Sequence, residues 1–87
     1  MEKIKLLLVD DHAVIRSGLR LLLEAQEDMT IVGEAESGRT AIAQVRELRP
    51  DIVLMDIKMA DMNGISATEA IKAEFPETAV LALTMYE

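Results

Sequence analysis

Acidic side chains stand at two points of the chain where an apolar run stops. Asp10 and Asp11 follow the run Leu6–Val9, and Asp56 ends the run Ile52–Met55. If these runs are neighbouring strands of a parallel sheet, the three carboxylates meet at one edge of that sheet. Two unit charges ~5 Å apart repel by about 3 kcal/mol at an effective dielectric constant of about 20, so a bound cation would relieve the cluster.

A hard divalent cation with oxygen ligands is the first candidate for such a cluster. Magnesium suits a shallow, wet group of two or three carboxylates better than calcium, which takes more ligands. The same acids are explained equally well as turn or N-cap residues of the helices that follow them. The spacing alone leaves both explanations open, because a pair of adjacent acids is a weak motif.

Two further polar residues lie close to these strand ends in the sequence. Thr84 follows the apolar run Ala79–Leu83 and would reach the same edge, where its hydroxyl could donate to a bound oxyanion. A β-branched residue that favours strands is the simpler explanation of Thr84. His12 could carry a proton, although a surface or capping role explains it more simply.

The elements that would position these residues alternate along the chain. Four short runs indicate strands, and the nearly continuous apolar ones are typical of strands that are buried on both faces of a parallel sheet. The runs are residues 4–9, 30–35, 51–56 and 79–83. The second run is the most polar of the four, which suits the edge of a sheet.

Helical periodicity fills the three intervals between the runs. Gly18 in the first helix predicts a close packing contact, because glycine there costs roughly 1 kcal/mol relative to alanine. The second helix begins near Ser37 and stops before Pro50. The third begins after Asn63 and stops before Pro76. With right-handed crossovers this order predicts an α/β fold, a parallel sheet with helices on both faces.

Composition excludes several other kinds of site. The chain has no cysteine and one histidine, which excludes disulfides, thiolate zinc sites and thiol catalysis and disfavours a Ser-His-Asp triad. A net charge of −7 and an aromatic fraction of 2% disfavour direct nucleic-acid contact by these residues. No stretch approaches the ~18 apolar residues of a membrane span, and the first run is too short for a signal peptide. We therefore expect a soluble cytoplasmic protein with no membrane partner.

Five motifs, in their order along the chain, resemble the receiver domains of bacterial two-component response regulators. They are Leu7-Leu8-Val9-Asp10-Asp11-His12, Arg16-x-Gly18-Leu19, Asp51-Ile52-Val53-Leu54-Met55-Asp56-Ile57-Lys58-Met59, Asn63-Gly64 and Ala82-Leu83-Thr84. The first two are most similar to the subfamily whose output is a LuxR-type helix-turn-helix. The resemblance covers the whole chain. It implies a flavodoxin-like fold and a signalling module that catalyses at most its own phosphotransfer, not an enzyme.

The resemblance implies how a phosphoryl group would be bound. Asp56 would be the phosphoacceptor, taking the group from the histidine of a sensor kinase. Thr84 would contact a phosphoryl oxygen, and the backbone N–H groups of Lys58 and Met85 would complete the cradle. The side chains of Lys58 and Tyr86 would tune the lifetime of the phosphoryl group.

The resemblance also implies a Mg²⁺ site. Asp11 and Asp56 would bind the ion directly, together with the backbone carbonyl of Lys58. Asp10 would lie in the outer shell and hold a coordinated water. The magnesium charge would explain how a cluster of acids accepts a negatively charged phosphoryl group.

Two features depart from the family's pattern. Ala60 stands where the family usually has proline, which predicts a less rigid loop with a trans peptide. The flavodoxin-like order has five strands, so residues 1–87 are expected to be the N-terminal portion of a receiver domain, an incomplete (βα)3β unit. The fifth strand, the last two helices, the family's lysine and the DNA-binding output domain would be absent from it.

Two functions fit this interpretation. The first is a phosphoacceptor module with Mg²⁺ as cofactor, whose partners are a sensor histidine kinase and the output domain of the full-length protein. The alternative is a folded, interaction-only fragment that cannot be productively phosphorylated without the lysine. An unpaired edge at Val80–Leu83, and apolar surface near Leu19, Leu22 and Leu23, further predict a homodimer.

Overall fold

A computed structural model of the protein describes residues 2–56 and 64–83. Its elements are β1 (Ile4–Val9), α1 (Ala13–Glu24), β2 (Met29–Ala35), α2 (Gly38–Leu48), β3 (Ile52–Asp56), α3 (Gly64–Glu74) and β4 (Ala79–Leu83). The predicted alternation of strands and helices is confirmed. Within the described residues, no helix combines the length and the apolar character that crossing a membrane requires.

The four strands form one parallel sheet in the order β2-β1-β3-β4. β1 and β3 are therefore neighbours, as the convergence of the acids requires, and Val9 pairs with Met55 across them. Asp10 follows Val9 and Asp56 follows Met55, so both acids lie side by side at the carboxyl ends of the two strands. β2 lies at one edge, as its polar composition predicts.

The core lies between the sheet and the helices α2 and α3. Side chains alternate between the two faces of a strand, so every second residue of β1 and β3 points into this layer. The buried residues of the core are Leu7, Val9, Ala35, Ala41, Val45, Val53, Met55, Ala67, Ile71 and Phe75. α1 lies on the other face and contacts β2. Its Leu22 is exposed, as predicted, whereas Leu19 and Leu23 are half-buried.

The prediction of a close packing contact at Gly18 is wrong, and Gly33 has a close packing contact instead. A Cβ added at Gly18 would meet no atom within 4 Å among the described residues. A Cβ added at Gly33 would lie 2.6 Å from Leu48 Cδ1 and 3.3 Å from Leu7 Cδ1. Leu48 of α2 therefore packs against β2 at a position where β2 has no side chain.

Local interactions set the ends of α2. The Ser37 hydroxyl accepts a hydrogen bond from the Thr40 N–H, and the Thr40 hydroxyl accepts one from the Ser37 N–H, which makes a capping box. At the other end Arg49 adopts the left-handed conformation with φ of 49°, and Pro50 follows it. Both ends agree with the start and stop signals in the sequence.

Candidate functional site

Asp10, Asp11 and Asp56 come together at the carboxyl ends of β1 and β3, as predicted. With His12 they form the acidic cluster, in which one ligand atom from each residue lies within 4.8 Å of those of the others. Asp10 is 3% exposed and Asp56 is 4% exposed, whereas Asp11 and His12 lie at the surface. The cluster therefore has a buried side on the sheet and an open side facing solvent.

His12 is held against the two acids of its own loop. Its Nδ1 lies 2.8 Å from Asp10 Oδ1 and 3.0 Å from Asp11 Oδ1. The hydrogen bond with Asp10, and next the charge of Asp11, raise the pKa of His12 above its ordinary 6.5. The protonated imidazole that this favours offsets part of the negative charge of the cluster. His12 follows the two acids in the sequence, but its side-chain contacts with them could not be predicted from that spacing.

Asp10 also makes the turn contact expected from the simpler explanation of the acids. Its Oδ1 accepts a hydrogen bond from the His12 N–H at 2.8 Å. His12 is the N-cap residue of α1 and makes no side-chain capping bond of its own. Asp10 therefore shapes the turn between β1 and α1 and belongs to the acidic cluster as well.

The donor set of the cluster fits the metal that the resemblance implies. Three carboxylates offer oxygen ligands, which Mg²⁺ prefers. Magnesium usually keeps several of its waters, and the exposed position of Asp11 gives an ion bound there access to solvent. The described residues can therefore hold a partly hydrated divalent cation.

Several predicted site residues lie outside the part of the chain that the structure describes. These residues are Lys58, Ala60, Thr84, Met85 and Tyr86. The roles that the resemblance implies for them remain predictions.

Arg16 belongs to the surroundings of the site, although the sequence indicates it only as part of a family motif. Its Nη1 donates to the backbone carbonyl of Asp10, and its Nε donates to Glu34 Oε1 at 3.1 Å. Arg20 donates to the other carboxylate oxygen of Glu34. Periodicity could not reveal this link, because it depends on the register that brings the end of β2 beside Asp10.

Comparison with known proteins identifies the family. The chain matches the response regulator receiver domain over residues 6–87, so it belongs to that family. Receiver domains of response regulators are signalling modules of two-component systems. Among curated proteins the chain is similar to the response regulator protein VraR of Staphylococcus aureus strain Mu3, with 48% identity over 83 residues. That match covers 95% of this chain and 40% of the length of VraR.

Solved structures confirm the fold class and the LuxR-type relatives. A LuxR-family two-component response regulator from Aurantimonas has a TM-score of 0.92 and 35% identity, over 99% of this chain and 61% of that chain. The signal receiver domain of the putative response regulator NarL from Mycobacterium tuberculosis has a TM-score of 0.93 and 29% identity. The latter match covers 100% of this chain and 70% of that one. The chain therefore has the flavodoxin-like receiver fold.

Proposed function

We propose that this receiver accepts a phosphoryl group on Asp56 from the phosphohistidine of a sensor histidine kinase. The observation that carries the proposal is the convergence of three carboxylates at the ends of two neighbouring strands. Asp56 is the last residue of β3 and is 4% exposed, so the sheet holds its backbone in one position. The family match favours this function over the interaction-only alternative.

The transfer requires a nucleophile and a leaving group. A carboxylate oxygen of Asp56 attacks the phosphorus, and the new O–P bond forms as the N–P bond of the phosphohistidine breaks. The electron pair of the broken bond returns to the kinase imidazole, which then takes up a proton. Magnesium bound at the cluster would neutralise charge on the phosphoryl oxygens.

The three acids have different proposed roles at the metal site. Asp11 and Asp56 would bind Mg²⁺ directly, together with the backbone carbonyl of Lys58. Asp10 would stay in the outer shell and hold a coordinated water. The hydrogen bond that Asp10 Oδ1 accepts from the His12 backbone N–H supports this assignment, because it commits Asp10 to the turn between β1 and α1.

The proposed phosphoryl contacts come from residues beyond the described strands. Thr84 would donate a hydrogen bond from its hydroxyl to a phosphoryl oxygen. The backbone N–H groups of Lys58 and Met85 would complete the phosphoryl-binding cradle. The side chains of Lys58 and Tyr86 tune how long the phosphoryl group survives. Family membership supports these roles, because the match to the receiver domain extends over residues 6–87 and so includes these positions.

Magnesium binding is tested with two variants that remove the same charge. Asp11→Asn removes a proposed ligand, whereas Glu47→Gln removes an exposed carboxylate on α2. We expect Mg²⁺ to shift the amide NMR signals of residues 10–12 and 56 in the wild type and in Glu47→Gln. In Asp11→Asn the affinity should fall by about 10-fold or more. Shifts scattered over the chain, or equal affinities in the two variants, would contradict the site.

We further propose that residues 1–87 are the N-terminal portion of a receiver domain in a longer response regulator with a DNA-binding output domain. The chain matches 40% of the length of VraR, which supports a response regulator longer than 87 residues. The match to 70% of the NarL receiver domain supports a longer receiver. The LuxR-family relative supports the class of output.

We also propose that the 87-residue chain forms homodimers through β4. β4 pairs with β3 on one side, and no other described strand pairs with it. Leu81, in the middle of β4, is 52% exposed. An exposed apolar strand edge recruits other strands, and a second copy of the chain offers the same edge.

A further inference from the structure

We propose that Arg16 is a positioning residue for the acidic cluster, a role that rests on the proposed magnesium site. Its guanidinium joins two parts of the molecule, since Nη1 donates to the carbonyl of Asp10 and Nε donates to Glu34 on β2. The side chain of Arg16 is only 16% exposed, although α1 is a surface helix. A guanidinium this sheltered is held in one orientation, unlike the cation of an ordinary surface pair.

The contact acts on the peptide group between Asp10 and Asp11. The Asp10 N–H donates to the carbonyl of Ala35 at 3.1 Å, which ties Asp10 to the end of β2. The Asp10 carbonyl accepts from Arg16. Because a peptide group is planar, the direction of that carbonyl also sets the position of the Asp11 nitrogen and Cα. Arg16 therefore fixes where the Asp11 side chain leaves the backbone relative to Asp10.

Glu34 holds the guanidinium of Arg16 in the required orientation. Its Oε1 accepts from Arg16 Nε, and its Oε2 accepts from Arg20. A guanidinium presents its donors in a rigid planar fork, so a bond at Nε directs Nη1 towards the carbonyl. Lysine at position 16 would keep the charge, but a single ammonium cannot reproduce this fork.

The charge and the contact of Arg16 have opposite effects on magnesium affinity. Removing a positive charge near the acidic cluster strengthens the attraction of a cation, because one source of repulsion is gone. Losing a group that holds a metal ligand weakens metal binding, typically by about 10-fold or more. The direction of the change therefore separates positioning from simple electrostatics.

Arg16→Gln and Arg20→Gln form a matched pair for the test. Both variants remove one positive charge and one partner of Glu34, but only Arg16 contacts the Asp10 carbonyl. In NMR titrations with Mg²⁺ we expect Arg16→Gln to bind about 10-fold more weakly than the wild type. Arg20→Gln should bind as tightly as the wild type or slightly more tightly. Urea unfolding of each variant ensures that only folded proteins are compared.

Arg16→Lys extends the test to the geometry of the fork. It keeps the charge, so weaker Mg²⁺ binding in this variant points to the lost fork alone. It also carries the test if Arg16→Gln does not fold. Wild-type affinity in Arg16→Gln or in Arg16→Lys would overturn the role, as would an equal loss in Arg20→Gln.

A second measurement does not depend on magnesium. Nitrogen-15 relaxation in metal-free buffer reports the order of the Asp11 and His12 amides. We expect Arg16→Gln to lower the order parameters of these two amides and Arg20→Gln to leave them unchanged. If the wild-type protein does not bind Mg²⁺ in the NMR titration, the proposed magnesium site is overturned. The relaxation data would still decide the role of Arg16. Unchanged order parameters in Arg16→Gln would overturn the positioning role.

Discussion

The three acids of the cluster differ in burial and in the groups that contact them. Asp10 is buried, and both the backbone N–H and the imidazole of His12 contact its Oδ1. Asp11 lies at the surface, where an incoming ion can reach it. Asp56 is buried at the end of a core strand. These different surroundings support the proposed roles, with Asp10 in the outer shell, Asp11 as a metal ligand, and Asp56 as both a metal ligand and the nucleophile.

Away from the site, the pair Arg46–Glu74 gives a pH-dependent prediction. Two guanidinium nitrogens of Arg46 donate to the two oxygens of Glu74, both at 2.8 Å. This hydrogen bonding lowers the pKa of Glu74 below its ordinary 4.5. The folded pKa is the lower one, so the pair's stabilising contribution is present above the ordinary pKa and is lost as pH falls through the lowered value.

We expect Arg46→Gln to raise the pKa of Glu74, measured by NMR titration of its carboxyl carbon. Stability at neutral pH should change little, because both side chains are exposed to solvent. Arg39→Gln removes another exposed charge from α2 and serves as the control. A Glu74 pKa that is the same in Arg46→Gln and in the wild type would contradict the hydrogen bonds.

Among the elements, α2 shows how local and long-range contacts combine. Its start is fixed by the capping box of Ser37 and Thr40. Its packing is fixed by Gly33, where β2 lets the helix approach. Each of these features can be tested with one substitution and one control.

Ser37→Ala should destabilise the protein by about 1 kcal/mol, the usual cost of losing an N-cap side chain. The Thr40 N–H would lose its acceptor at the first turn of α2. Ser17→Ala changes an exposed serine inside α1 and should leave stability unchanged or slightly higher. Urea unfolding measures both, and equal effects would argue against the capping box.

Alanine at the two glycines should change stability in opposite directions. Gly18→Ala fills open space in a helix and should stabilise the protein by about 1 kcal/mol. Gly33→Ala forces Leu48 to move and should destabilise it by about 1 kcal/mol or more. Urea unfolding curves of the two variants give both values. A stabilising Gly33→Ala would show that α2 can move away from β2 at no cost.

At the scale of the whole molecule, most of the architecture could be predicted from the sequence. Buried strands and helical periodicity are local patterns, and the short connections between them limit the topology. The packing of Gly18 and the contact of Arg16 could not be predicted. Both depend on which elements lie beside them, and that information is not contained in the spacing of nearby residues.

The exposed edge of β4 gives a prediction about assembly. We expect sedimentation equilibrium to show dimers of the 87-residue chain at high micromolar concentration. Leu81→Lys should weaken the association, because a charged side chain on an edge strand opposes pairing. Val14→Lys makes the same change on exposed α1 and should have less effect. A stable, cooperatively unfolding wild-type monomer at that concentration would contradict the dimer.

Mass spectrometry after incubation with acetyl phosphate and Mg²⁺ tests the phosphoacceptor role most directly. Asp56→Asn keeps the shape of the side chain but removes the nucleophile, and Glu47→Gln is the control for the lost charge. We predict one phosphoryl adduct in the wild type and in Glu47→Gln, mapped to the peptide that contains Asp56 and lost when EDTA removes the metal. Asp56→Asn should carry no adduct. An equal yield of adduct in Asp56→Asn would contradict the assignment of Asp56, and no adduct in the wild type would contradict the phosphoacceptor function and favour the interaction-only alternative.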